Sequence, residues 1–200
     1  MSPLQRTHAT ELRDDELIVF DALFDTRVSP SALQREHFGE RHNLGYVHQL
    51  SDAVLTSTLE DLCGRGLVAV ERSERTWVSL TPAGGGMWEA ERTPDWQLYC
   101  SDSNVETDGQ WVLQVKAVDR GVGESFIEAG VTCGLFEAAV RKRTVGHRTS
   151  GLLVPWKQAD YYLLTAQVAP RRRTIDWQRY ETQRRWWRTV TELISLKRPH

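Results

Sequence analysis

The sequence predicts an α+β protein, and three observations carry that prediction. Between Ser51 and Gly84 the apolar spacing changes from helical to strand-like and back, so a helix, a hairpin and a second helix follow one another. From Trp111 to Val168, short apolar runs separated by turn residues indicate three or four mostly antiparallel strands. The last stretch, from about Thr174 to Leu196, places Tyr180, Trp187, Val190 and Ile194 on one helical arc, so a long amphipathic helix is expected to cover that small sheet. Thr93-Pro94-Asp95 separates the two parts, because proline disfavours helical geometry in the residue before it. Residues 1–95 and 96–200 are therefore read as two domains.

In chain order, Asp14, Asp15 and Glu16 suit the positive end of a first helix over about residues 11–25, with Leu17, Phe20, Leu23 and Phe24 on its inner face. Ser29-Pro30 starts a second, shorter helix that ends near Gly39, with Leu33 and Phe38 inward. The connection from 39 to 50 is longer than a simple helix-turn-helix needs. His37, His42 and His48 lie in or near it with Glu36 and Glu40, but in no zinc-binding spacing, so a polar loop is the expected reading and no metal is assigned.

Ser51 is the expected cap of the third helix, in which Leu55, Leu59 and Leu62 recur at helical spacing until Gly64 and Gly66 stop it. Leu67 to Val70 then reads as a strand, Arg72-Ser73-Glu74-Arg75 as a polar turn and Thr76 to Leu80 as the returning strand. Thr81-Pro82 caps and opens a fourth helix. The three glycines at 84–86 each cost about 1 kcal/mol in a helix interior, so they point to close packing against another backbone. Farther on, Gly121-Val122-Gly123 reads as a turn, 124–138 is equally compatible with a short helix or a strand, and Val140 to Val145 with a polar edge strand.

The run L-x-x-L-C-G-R-G-L-V, followed by a two-stranded wing and then L-T-x-x-G, resembles the winged-helix regulators of the MarR and PadR type over residues 14–92. The resemblance implies that the third helix enters the major groove of double-stranded DNA, that the wing reaches phosphates, and that the protein works as a homodimer. Carried onto this chain, the DNA-facing candidates are Thr56, Ser57, Arg65, Arg72 and Arg75. The chain departs from that pattern in its charges. The outward positions of the third helix also include Val54, Glu60 and Asp61, and before Arg65 it offers none of the arginine, lysine, asparagine or glutamine side chains that read bases best.

Charge sharpens the contrast. Residues 1–95 hold nine arginines, no lysine and sixteen carboxylates, a net of −7, whereas residues 96–200 carry +5. An acidic reader is repelled by a duplex, so the sequence supports two functions: a DNA-binding transcriptional regulator whose C-terminal half dimerises or senses a ligand, or a winged-helix accessory or immunity-like module that docks a protein. Arginine and tryptophan interleave after residue 170, but the Trp side chains follow the apolar arc and the Arg side chains have acidic neighbours at i, i+4.

No nucleophile elbow, metal-protease helix, dinucleotide fingerprint or phosphate loop occurs, so neither an enzyme nor a cofactor is expected. Cys63, Cys100 and Cys133 are far apart and odd in number, which suits reduced thiols. No apolar run approaches the roughly 20 residues of a membrane span, and Met1 to Asp15 lacks the apolar centre of a signal peptide; a cytoplasmic protein is expected.

Overall fold

The computed structural model describes residues 12–29, 50–107, 110–133, 137–138 and 145–169. The expected second helix and the expected C-terminal helix lie outside these residues, as do the histidines at 37, 42 and 48. Helices α1 (Asp14–Leu23), α2 (Asp52–Gly64) and α3 (Pro82–Arg92) accompany a hairpin of β1 (Val68–Arg72) and β2 (Thr76–Leu80). A single 3-10 turn, Trp96–Leu98, leads to β3 (Cys100–Thr107), β4 (Gln110–Ala117), α4 (Arg120–Thr132), β5 (Glu137–Ala138), β6 (Val145–Val154) and β7 (Lys157–Ala169). The protein is thus α+β, with four helices and two antiparallel sheets among the described residues.

Local chemistry explains the boundaries of the first part. The Glu16 carboxylate accepts the Arg13 backbone N–H at 2.8 Å, tying off an otherwise orphan donor at the start of α1. Ser51 caps α2 by accepting from the Val54 N–H at 3.3 Å. At the other end, Gly66 takes a positive φ of 69°; its N–H reaches Cys63 O and that of Leu67 reaches Leu62 O, a Schellman closure in which buried Leu62 and Leu67 meet. Thr81 accepts from Gly84 N–H at 3.1 Å and Pro82 follows at the first helical position, so the expected cap of α3 is in place. That helix ends at Thr93, in the left-handed conformation ahead of Pro94.

The hairpin pairs Val68 with Leu80 through Arg72 with Thr76, and Val28 adds a bridge to Val78 on the outer edge of β2. Its inward residues Val68, Val78 and Leu80 join Val19, Phe20, Leu23 and Phe24 of the α1 segment, Leu55 and Leu62 of α2, and Trp88 of α3 in one core. The same core continues past residue 95 into Tyr99, Leu153, Val154, Trp156 and Tyr161. Gly84 explains part of the expected close approach, since a Cβ there would stand 2.1 Å from the Leu67 carbonyl oxygen. Gly85 faces a ring, not a backbone: its Cβ would lie 2.0 Å from Trp156.

The second sheet runs β3-β4-β7-β5, with β6 also paired to β7. Leu113, Val115 and Ala117 of β4, with Leu164 and Ala166 of β7, point to α4, where Phe126 and Ile127 complete a second core. Residues 121–123 are therefore helical, not a turn. Asp119 caps α4 through Val122 N–H at 2.9 Å, and Gly123 is small because a Cβ would meet Leu164 at 2.5 Å and Ala117 at 2.9 Å. The glycine serves close packing, which sequence punctuation alone does not distinguish from a bend. Among the described residues the sheet has five strands: four lie between Trp111 and Val168, within the expected three or four, and β3, which is polar and carries no clear alternation, adds one ahead of them; Lys157 to Asp160 already belong to β7, so only Pro155-Trp156 turns the chain.

Candidate recognition surface

The α2 helix turns Leu55, Thr58 and Leu62 inward and leaves Asp52, Ala53, Val54, Thr56, Ser57, Glu60 and Asp61 exposed. Thr56 and Ser57 therefore face outward, although the Ser57 hydroxyl donates to Val54 O of its own helix at 3.0 Å. Val54 remains 41% exposed. Asp52 and Glu60 are exposed and make no ion pair among the described residues.

Arg65 behaves differently from a phosphate reader. Its guanidinium is paired with Glu16 of α1, a carboxylate that is only 1% exposed, and with Asp61 one helical turn back at 3.1 Å. Arg13 closes the group from the other side, at 3.3 Å from Glu16 and 3.4 Å from Asp61. The hydrogen bond from Arg65 holds the Asp61 carboxyl below its usual range, with slight burial opposing it. A buried carboxylate needs a cation and hydrogen bonds to offset its lost hydration, so the primary task of Arg65 here is to neutralise Glu16. Sequence showed Glu16 only as an acidic residue in a first turn; its partner lies 49 residues away, and no local spacing announces such a pair.

Arg72 and Arg75 flank the tip of the hairpin, are exposed and make no ion pair among the described residues. Ser73 tightens the tip, its N–H and hydroxyl both donating to Arg75 O at 3.1 Å. Val68 and Arg72 are four residue steps apart along β1, about 13 Å, so the tip stands well away from the buried start of the hairpin. Of the two neighbouring carboxylates, Glu71 is engaged by Arg27 at 3.2 Å, and that guanidinium also stacks 5.0 Å from the Trp77 ring centre. The structure thus groups Arg65 with Arg13, Glu16 and Asp61, and leaves Arg72 and Arg75 as the available cations of the hairpin.

Thr58, which the sequence did not single out, fixes α2 to α1. Its buried hydroxyl donates to Asp15 Oδ2 at 2.7 Å. Burial pushes the Asp15 carboxyl up, but hydrogen bonds from Thr58 and Arg13 outweigh it and leave the group below its ordinary value. A folded-state pKa held below the unfolded one stabilises the fold above the unfolded value and loses that contribution as pH falls through the folded one. Thr58→Val, which keeps the shape and removes the donor, is expected to cost about 1 kcal/mol at neutral pH. The deficit should shrink in acid, as pH falls through the lowered folded-state value and the Asp15 carboxylate that Thr58 serves is protonated. Urea unfolding of both chains across that range checks it; a deficit that stays constant with pH would contradict the role given to Asp15.

Among the described residues no group of three or more metal-binding side chains occurs, and no helix is long and apolar enough to cross a membrane. No family model, curated protein or solved structure matches the chain.

Proposed function

We propose that residues 14–92 form a winged helix that acts as a non-catalytic recognition module in the cytoplasm, and that α2 addresses a basic protein surface. The observation that carries this reading is the commitment of Arg65 to Glu16 and Asp61 beside an open helix face on which Asp52 and Glu60 have no ion pair among the described residues. Each such carboxylate raises the cost of bringing a phosphate line close, and each favours a Lys- or Arg-bearing partner. The element order, the hairpin between α2 and α3, and the Val28–Val78 bridge support the winged-helix part of the proposal.

A second reading keeps a specific observation of its own. Arg72 and Arg75 are exposed and unpaired among the described residues, as a wing that touches phosphates requires. On that reading the protein is a transcriptional regulator that binds duplex DNA as a homodimer, with the wing supplying most of the contact.

One titration separates the two. A fluorescent duplex and an arginine-rich synthetic peptide are each titrated with the wild-type chain at low and at moderate salt. Docking to protein predicts salt-sensitive binding of the peptide that weakens in an Asp52→Asn/Glu60→Gln variant, and no duplex binding at low salt. Duplex binding whose logarithmic salt slope becomes shallower by about 2 in Arg72→Ala/Arg75→Ala would instead establish the DNA reading and remove the first.

A further inference from the structure

We propose that Glu89, Trp96 and Trp156 form a preformed receptor for a primary alkylammonium group, filled in the resting chain by its own Lys157. The Lys157 Nζ lies 2.9 Å from both oxygens of Glu89. It also stands 5.0 Å from the ring centre of Trp96 and 5.8 Å from that of Trp156, within the reach of the attraction between a cation and the negative face of an indole. Two ring faces and one carboxylate converging on one nitrogen suit a compact ammonium better than a planar guanidinium, whose donors fan out in a fork.

The walls are held by contacts in which Lys157 takes no part. Trp156 Nε1 donates to Phe24 O at 2.6 Å, and the indole is seated on Gly85. Trp96 Nε1 donates to Glu89 Oε1 at 2.7 Å, which fixes the carboxylate and the second ring together. The two rings meet at 5.8 Å and 70°, and Trp88 braces both from below at 6.3 Å. The lysine, with a flexible four-carbon stem and a side chain 26% exposed, can leave without breaking any of these contacts. Its departure leaves a formed site open to solvent, so an amine from outside, either a small molecule or a lysine of another chain, can replace it. Because Lys157 begins β7 and follows the turn at Trp156, such exchange acts on the joint between the second sheet and the helical part.

The test uses the full chain with Lys157→Ala. n-Butylammonium stands for a free amine and Nα-acetyl-lysine methylamide for a lysine of another chain. Either is expected to change tryptophan fluorescence saturably in the variant, at concentrations at least about tenfold lower than in the wild type, where the tethered lysine competes. Adding Glu89→Gln should weaken that binding about tenfold, equivalent to about 1.4 kcal/mol. A response that sodium chloride reproduces, or one indifferent to Glu89→Gln, overturns the proposal. Should Lys157→Ala not fold, the wild-type chain still decides: after reductive methylation, the dimethyl protons of Lys157, one of four lysines, are expected well upfield of those of free dimethyl-lysine, and an unshifted signal refutes the cage.

Discussion

Replacing Asp21 by Asn is expected to lower the unfolding free energy by about 3–5 kcal/mol, because it leaves a buried guanidinium without its counter-charge. Asp21 and Arg92 are 2% and 5% exposed. One carboxylate oxygen accepts Trp88 Nε1 at 2.9 Å and Arg92 Nε at 3.0 Å, and the other accepts Arg92 Nη2. Arg92 Nη1 is buried and without a hydrogen-bond partner among the described residues, so the guanidinium depends all the more on Asp21. A domain of ordinary stability holds only about 5–15 kcal/mol in reserve, so the loss is a large share of it and should depress the melting temperature by roughly 10 °C. Replacing both partners, Asp21→Leu with Arg92→Met, should recover most of the deficit, since two desolvated charges disappear together. The recovery stays incomplete by about 1–3 kcal/mol because Trp88 Nε1 then lacks an acceptor. Urea unfolding of the three chains measures all of this; an Asp21→Asn chain within about 1 kcal/mol of wild type would mean that the pair is solvated like a surface pair.

The same cluster marks the limit of what could be read from sequence. Features written in neighbouring residues came through: the Ser51 and Thr81 caps, the stop at Gly66, the polar hairpin tip and the break at Thr93-Pro94 each follow from a conformation or hydrogen bond completed within a few positions. The alternation of Leu113, Val115 and Ala117, all buried on one face of β4, is legible in the sequence for the same reason. What stayed hidden depends on long separations. Asp21 meets Arg92 across 71 positions, Phe24 meets Trp156 across 132, and Glu16 meets Arg65 across 49. Asp21 falls amid the apolar residues of α1 and Arg92 in the last turn of α3, where an unremarkable sequence suggests a solvated charge. The recognition candidates divide the same way. Thr56 and Ser57 face outward as helical spacing implied, whereas the pairing of Arg65 with Glu16 follows only from the packing of α1 on α2.

Trp156→Ala should be the most damaging change in the second half, costing about 3–5 kcal/mol. The indole is 7% exposed at the turn between β6 and β7, yet its nitrogen donates to Phe24 O, its ring edge meets Trp88 and Trp96, and its face lies on α3 at Gly85. Truncation removes aromatic contacts, a hydrogen bond and a large apolar volume together, at the point where the second sheet reaches the helical core. The glycine opposite offers a sharper test than the truncation itself. Gly85→Ala puts a methyl group 2.0 Å from the ring, and a ring braced on three sides yields only by repacking, so a loss of about 1–3 kcal/mol is expected. Gly86, one residue on, has nothing within 4 Å, so Gly86→Ala should gain up to about 1 kcal/mol from helix propensity alone. Neighbouring glycines in one helix should thus respond with opposite signs. In the Trp156→Ala background the clash is gone, and Gly85→Ala should turn from destabilising to mildly stabilising, a reversal that a double-mutant cycle reads directly. A penalty for Gly85→Ala that persists unchanged without the indole would place the conflict elsewhere and remove Trp156 from the joint.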